Sequence, residues 1–209
     1  DSVIDQTITV HSLDSSNYSG TISFPIDVAA DLNVTGDLTV GQNATISCTR
    51  SSTTANGGEG AGRTITVGDD LTVLGTIEAD GDGFAAETGP GGDDRYAATH
   101  GGKGGYNEDP TYGSFDEPVA LGSGGSYYNG GGAIKINVIG NVDVEGVISV
   151  DANGGTASGS SGGAGGSIWI DCATLTGTGI ISSKGGRGYY HGGGGGRVSL
   201  KDVDDYQFT

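Results

Sequence analysis

The chain has 209 residues, 44 of them glycine and only 4 of them proline, and its 26 acidic against 9 basic side chains give a net charge of −17. Glycine at about three times its usual share of ~7%, without a three-residue period, excludes collagen. The acidic excess excludes nucleic acid and anionic membrane surfaces as partners, because both bind clustered Lys and Arg. No apolar run approaches the ~20 residues that cross a bilayer, so we expect no direct membrane insertion.

Residues 1–59 precede the glycine-rich part of the chain and carry three glycosylation-type triplets. These begin at Asn17, Asn33 and Asn43, and Asn-x-Ser/Thr is the acceptor sequence for N-glycosylation. In a Ser/Thr-rich sequence such triplets also arise by chance. A chain that starts at Asp1 and contains no methionine has the form of a mature or excised segment. These features favour an extracellular or cell-surface glycoprotein.

A ten-residue pattern recurs four times along the chain. Apolar residues occupy every second position, which predicts a strand with one buried face. A glycine lies at the centre of each copy, where it suits a bend or the close approach of another backbone. The copies and their central glycines are DLNVTGDLTV at 31–40 (Gly36), DLTVLGTIEA at 70–79 (Gly75), NVDVEGVISV at 141–150 (Gly146) and TLTGTGIISS at 174–183 (Gly179).

The third copy belongs to an alternating run that is too long for one flat strand. Every even position from Ile134 to Ala152 is apolar or glycine, whereas strands usually have 3–10 residues. Bends at Gly140 and Gly146 explain the run, because a chain that keeps one face inward while it turns corners coils around a core. The excess length between copies lies in glycine-rich stretches, at roughly 81–132, 153–166 and 184–196.

We therefore predict an all-β fold, a right-handed parallel β-helix (solenoid) with long glycine-rich loops projecting from one side. An antiparallel sandwich with long hairpin loops is the alternative. A single domain is expected over residues 1–209, with 1–59 as its leading coils and 60–209 as a glycine-rich repeat region that contains the long insertion 81–132.

The wording of residues 60–200 resembles glycine-rich β-solenoid segments of large secreted and cell-surface proteins. The strings that carry the resemblance are GGGAIKINVIGNVDVEGVISVDANGG, SGGAGGSIWIDCATLTGTGIISSKGG and GGGGGRVSL. The resemblance implies a surface-attached, filament-building or adhesive role rather than a reaction. This chain departs from the usual pattern in its 81–132 insertion, which carries many aromatic and acidic residues.

The glycine-rich loops are expected to stack into a layer beside the solenoid and to hold most of the aromatic side chains. Tyr127–Tyr128 and Tyr189–Tyr190 each precede a glycine run and a strand, which predicts equivalent positions on adjacent layers. Exposed tyrosines on a rigid scaffold suit sugar recognition; the alternative is that the rings only pin the loops to the solenoid. The candidate glycan contacts are Tyr106, Tyr112, Tyr127, Tyr128, Tyr189, Tyr190 and His191.

Acidic turns in the insertion make calcium a candidate ligand, through Asp80, Asp82, Asp93 and Asp94. The alternative is a solvated acidic turn, since the spaced ligands and closing Glu of an EF-hand are missing. No other cofactor is indicated. Cys48 and Cys172 are the two cysteines. They form either a disulfide, which an extracellular setting permits, or two small buried hydrophobic residues.

Two functions from different classes follow. The first is a non-enzymatic extracellular structural or adhesive module, such as a filament subunit, that self-associates, contacts neighbouring domains of a larger protein or binds glycans. The alternative is a polysaccharide-binding or polysaccharide-degrading, lyase-like domain that acts through the 81–132 insertion. No catalytic residue is singled out, although four basic residues lie in the glycine loops. They are Arg95, Lys103, Lys184 and Arg187.

Overall fold

The computed structural model describes residues 2–201 and 205–208. Eighteen short strands pair in parallel throughout this part of the chain, three strands to a coil, and stack into three six-stranded sheets. The predicted parallel β-helix is confirmed, and the antiparallel sandwich is wrong. The described residues contain no helix long and apolar enough to cross a bilayer.

Each sheet takes one strand from every coil. The first sheet holds Ser2–Val3 (β1), Gly20–Ser23 (β4), Ala44–Ser47 (β7), Thr76–Glu78 (β10), Val147–Ser149 (β13) and Ile180–Ser182 (β16). The second sheet holds Ile8–Val10 (β2), Leu32–Val34 (β5), Arg63–Val67 (β8), Ala133–Val138 (β11), Ser167–Asp171 (β14) and Arg197–Lys201 (β17). The third sheet holds Leu13–Asp14 (β3), Leu38–Val40 (β6), Leu71–Val73 (β9), Asn141–Val144 (β12), Thr174–Gly177 (β15) and Asp205–Phe208 (β18).

The core is a stack of aliphatic side chains that point inward from the three sheets. Period-two alternation places one or two apolar residues of most strands inside, and parallel pairing aligns these residues along the solenoid axis. A fully buried isoleucine such as Ile77 contributes about 1.5–3 kcal/mol through burial of its side chain. The ladder of the first sheet consists of Ile22, Ile46, Ile77, Ile148 and Ile181.

Glycines form the corners, but the four sequence copies do not all describe the same corner. Gly75, Gly146 and Gly179 lie where the third sheet turns into the first, whereas Gly36 lies between β5 and β6, where the second sheet turns into the third. A Cβ on Gly75 would lie 2.2 Å from the carbonyl oxygen of Gly41, which is therefore its neighbour in the stack. The prediction that Gly36 is equivalent to the other three is wrong. Both corners are closed by similar short turns, so the same local sequence pattern occurs at both.

All of the long connections leave the solenoid at one corner, between the first and second sheets, as predicted. Within the described residues, short turns close the other two corners. The long connections of the last four coils are residues 48–62, 79–132, 150–166 and 183–196. The first of them contains a short 3₁₀ turn, Asn56–Gly58 (η1).

The glycine-rich connections pack together as extended, three-faced helices, which we call the glycine lattice (residues 97–105, 121–132, 150–166 and 183–196). Along segment 162–166, successive N–H groups donate to different neighbours, and the neighbour repeats at every third residue. The bonds are Gly162 to His191 O (3.0 Å), Gly163 to Asn153 O (3.4 Å), Ala164 to Ser123 O (2.9 Å), Gly165 to Gly194 O (3.0 Å) and Gly166 to Val150 O (3.0 Å). Three residues per turn is the period of polyproline II.

The side chain of Arg63 closes the corner between the first and second sheets in the early coils. It is 2% exposed, occupies an inward position of β8 and lies over the ring of Phe24, 5.0 Å from its centroid. Its guanidinium group donates to carbonyl oxygens of two neighbouring connections, and burial lowers its pKa. The acceptors are the carbonyl oxygens of Pro25 (2.6 Å), Val28, Ala30 (3.1 Å), Thr49 (2.5 Å) and Arg50 (3.1 Å).

The two cysteines do not form the candidate disulfide. Cys48 and Cys172 are free, buried thiols. Cys48 follows a strand of the first sheet in the third coil, and Cys172 follows a strand of the second sheet in the fifth coil. Coils are ~4.8 Å apart, so two coils already exceed the ~7 Å between Cα atoms that a disulfide can bridge.

Candidate functional site: an aromatic patch on the glycine lattice

Five aromatic rings from two connections meet on the surface of the glycine lattice, and we call them the aromatic patch. Tyr96 and Tyr106 come from the insertion, and Tyr189, Tyr190 and His191 come from the last connection. The centroid separations are 6.5 Å for Tyr96–Tyr106, 6.2 Å for Tyr96–His191, 4.6 Å for Tyr106–His191, 6.1 Å for Tyr190–His191 and 5.0 Å for Tyr189–Tyr190.

Backbone hydrogen bonds between glycines bring the two connections together. Gly102 donates to the carbonyl oxygen of Gly195 at 2.8 Å, and Gly105 donates to that of Gly192 at 3.1 Å. The two runs are therefore antiparallel, which places Tyr106 beside His191. An added Cβ on Gly105 would lie 2.9 Å from the Cβ of His191, so this approach requires glycine.

The patch is open to solvent although its backbone is fixed. Tyr106 is 78% exposed, Tyr190 62%, Tyr189 56% and Tyr96 40%. Tyr106 also has a φ of +60°, a left-handed conformation that costs energy for a residue with a Cβ and is held only where the surroundings fix it. Large exposed rings in a contiguous group mark a binding surface more often than scattered ones do.

Charged groups of both signs border Tyr96. The Asp93 carboxylate accepts the backbone N–H groups of Arg95 (2.7 Å) and Tyr96 (2.9 Å). The side chain of Arg95 is 79% exposed and lies 4.0 Å from the Asp94 carboxylate. In the glycine run that pairs with the last connection, the ammonium group of Lys103 donates to the carbonyl oxygen of Glu108 at 3.2 Å. The border thus offers both hydrogen-bond acceptors and cations to a ligand on the rings.

Four of the seven predicted contact residues lie in the patch, namely Tyr106, Tyr189, Tyr190 and His191. Tyr112 does not lie there. Its hydroxyl bonds to Leu121 O (2.5 Å) and Ser123 Oγ (2.7 Å) inside the insertion, and burial raises its pKa. Tyr112 therefore pins the insertion, as the alternative interpretation expected of such rings.

The two tyrosine pairs do not occupy equivalent positions. Strand pairing aligns residues 133, 167 and 197. Tyr127 precedes residue 133 by as many positions as His191 precedes residue 197, so Tyr127 corresponds to His191. The pair Tyr189–Tyr190 is therefore offset by two residues from Tyr127–Tyr128, and one coil lies between the two pairs. Tyr127 is 60% exposed, and the hydroxyl of Tyr128 lies against Gly155. Within the described residues, neither ring contacts a ring of the patch.

The four aspartates considered for calcium fall into two separate places. Asp80 accepts the backbone N–H of Asp151 at 2.7 Å, while Asp93 and Asp94 take part in the turn before Tyr96. Burial, reinforced by Glu78, raises the pKa of Asp82 to about 6. In residues 2–201 and 205–208, no three His, Cys, Asp or Glu side chains come together as a metal site, so the calcium prediction gains no support.

The glycosylation triplets lie on the leading coils. Asn17 and Asn43 are exposed in turns, and Asn33 is half-buried on the outer face of β5, between Thr9 and Thr66. Glycosylation stays a prediction.

His100 is a buried titratable group that anchors the lattice beneath the patch. Its Nδ1 lies 2.7 Å from the carbonyl oxygen of Gly165, which assigns the ring proton to Nδ1 and leaves Nε2 without a partner. The ring packs on Tyr112 at 4.7 Å. Burial lowers the pKa of His100 to about 4.

Acidification is therefore expected to destabilise the fold through His100. An unfolded histidine binds a proton below pH ~6.5, whereas the folded one resists until about pH 4, so stability falls as the pH drops from 6.5 to 4. The full effect is about 3 kcal/mol. Denaturant unfolding at pH 7 and pH 4 should show wild type losing more than His100→Asn, which keeps a donor for Gly165. Parallel losses in both proteins would contradict this. The raised pKa of Asp82 makes the fold more stable as the pH falls, which is the opposite effect, but it does so equally in wild type and in His100→Asn.

No protein-family model, curated protein or solved structure matches this chain. Its class is therefore defined by the fold alone, as a parallel β-solenoid with a glycine lattice on one corner.

Proposed function

We propose that this chain is a non-enzymatic extracellular adhesive module that binds glycans on its aromatic patch. The observation that carries the proposal is the patch itself: four exposed tyrosines and one histidine on a backbone fixed by glycine–glycine hydrogen bonds. Tyrosine rings offer an apolar face and a polar tip, which match the apolar face and the hydroxyl groups of a sugar ring. A surface that is rigid before binding avoids an entropic cost of ordering.

Alanine substitution within the patch is expected to weaken glycan binding at least tenfold. Tyr190→Ala and Tyr106→Ala each remove a large exposed ring. Tyrosines at the centre of an interface are often hot spots whose truncation costs about 2 kcal/mol or more, and 1.4 kcal/mol is already tenfold in affinity. The measurement is binding of wild type and variants to a panel of immobilised polysaccharides. Phe115→Ala is the matched control, because Phe115 is 83% exposed but lies outside the patch. Equal binding by all variants would contradict the proposal.

A lyase-like polysaccharide-degrading activity is the second candidate. It is favoured by one arrangement, in which the exposed Arg95 lies beside two carboxylates, those of Asp93 and Asp94, and next to Tyr96. Lys184, another basic residue of the glycine loops, does not take part in this arrangement, because its ammonium group lies 3.7 Å from the Asp151 carboxylate.

Self-association or contact with a neighbouring domain is a further part of the proposal. Inward positions of the sixth coil are open to solvent, with Val198 45% exposed and Leu200 38% exposed, whereas their neighbours Ile168 and Ile170 in the fifth coil are fully buried. A parallel strand edge with exposed apolar residues favours pairing with another chain or another coil.

A further inference from the structure

The outer face of the second sheet carries a row of side chains that the proposed glycan site does not use. Thr64, Lys135, Trp169 and Ser199 occupy matching positions on β8, β11, β14 and β17. Lys135 Nζ lies 3.5 Å from the ring centroid of Trp169, and Lys201 Nζ lies 5.6 Å from it. Two cations therefore flank the one tryptophan of the chain.

The two lysines differ in their counter-ions. Lys201 Nζ is 3.0 Å from a carboxylate oxygen of Glu117. Lys135 is half-buried, and none of the described carboxylates lies within ion-pairing distance of its ammonium group. Lys135 thus carries a half-buried positive charge that no described carboxylate neutralises, and burial of an unpaired charge costs free energy.

Trp169 presents a second donor without an acceptor. The side chain is 7% exposed, and its indole N–H finds no hydrogen-bond partner among the described residues. Buried indole N–H groups usually have a partner. An ammonium group without a carboxylate partner and an N–H donor without an acceptor thus lie on neighbouring strands of the second sheet.

A pocket of about 210 Å³ adjoins Lys135. Its walls come from the second sheet, from the connection that contains η1, and from Val119 of the insertion. The guanidinium group of Arg63 is already bonded to carbonyl oxygens, so Lys135 supplies the available positive charge. Asn56 and Thr64 add polar groups. The volume is below the ~300–1,000 Å³ of pockets for drug-sized ligands, and it suits one small group or a single sugar ring.

We propose that this pocket binds the carboxylate of a small acidic ligand, with Lys135 as its ion-pair partner. A sugar acid is the class that fits best. Its carboxylate pairs with Lys135, its ring packs on Val119, and its hydroxyls reach Thr64 and Asn56. The site lies on the sheet and is distinct from the aromatic patch, so it does not depend on the proposed glycan binding there.

The single tryptophan provides the measurement. Because Lys135 contacts the Trp169 ring, drawing the ammonium group toward a ligand changes the environment of the indole, whose N–H gives one resolved signal in a ¹H–¹⁵N spectrum. We expect a saturable shift of this signal on titration with sodium glucuronate, and no saturable shift with glucose. Sodium acetate separates the two sources of carboxylate: equal affinity assigns the site to carboxylates in general, and tighter glucuronate binding assigns it to a sugar acid.

Variants connect the response to the pocket. Lys135→Gln is expected to weaken glucuronate binding at least tenfold, Lys135→Arg to retain most of it, and Lys184→Gln, which removes an exposed lysine elsewhere, to leave it unchanged. If Lys135→Gln unfolds, Lys135→Arg carries the test instead, because its indole signal shows whether it is folded. The absence of a saturable shift, the same shift with glucose or sodium chloride at matched ionic strength, or full binding by a folded Lys135→Gln would overturn the proposal.

Discussion

Replacing Arg63 with alanine is expected to lower the free energy of unfolding by about 4 kcal/mol. Removing one partner from a buried charged network typically costs ~3–5 kcal/mol, and here five carbonyl oxygens from two connections lose their donor at once. Such a loss is a large part of the 5–15 kcal/mol that stabilises a typical domain. Urea unfolding monitored by the fluorescence of Trp169 measures it.

Arg95→Ala is the matched control for Arg63→Ala. Arg95 is 79% exposed and makes only a 4.0 Å ion pair with Asp94, so its removal should change stability by no more than about 0.5 kcal/mol. If Arg63→Ala lost less than about 1 kcal/mol, its guanidinium group would not be closing the corner as the structure describes.

Two glycines of one run, Gly193 and Gly195, are expected to respond to alanine in opposite ways. A Cβ on Gly193 would lie 1.9 Å from the carbonyl oxygen of Gly163, whereas a Cβ on Gly195 would meet no atom within 4 Å. Gly193→Ala must therefore force lattice segments apart, which we expect to cost about 3 kcal/mol, at the upper end for overpacking. Gly195→Ala should be neutral or slightly stabilising, because it restricts the unfolded chain.

Thermal unfolding of the two variants beside wild type distinguishes a packed lattice from a flexible glycine linker. A flexible linker has room for a methyl group at either position, so both variants would then match wild type. Equal melting temperatures for Gly193→Ala and Gly195→Ala would contradict the lattice.

The solenoid could be predicted from sequence because a short, local sequence pattern determines it. Period-two alternation interrupted by glycine, as at Gly140 and Gly146, requires strands that turn corners around one core. The corner to which each copy belongs could not be predicted, since Gly36 and Gly75 stand in the same short pattern but in different turns. Arg63 did leave a signal, because a cation replaces an apolar residue in the alternation with Ile65 and Val67.

The glycine lattice and the patch were only partly predictable. Glycine has no side chain to display a three-residue period, so the polyproline II geometry of segment 162–166 leaves no pattern in the letters. The contact between Tyr106 and His191 depends on pairing between distant glycine runs. The same pairing brings Tyr96 into the patch. One signal was present: HGGKGG at 100–105 and HGGGGG at 191–196 are similar strings, and they are the runs that pair.

The most direct test of glycan binding without catalysis is size-exclusion chromatography with light scattering on a panel of polysaccharides, before and after incubation with the protein. The account predicts that at least one polysaccharide elutes together with the protein and keeps its molar mass, and that Tyr190→Ala abolishes this co-elution. A fall in polysaccharide mass would contradict the account and establish an enzyme, with Arg95 as the first residue to replace. Separate elution of every polysaccharide would remove glycan binding from the proposed function.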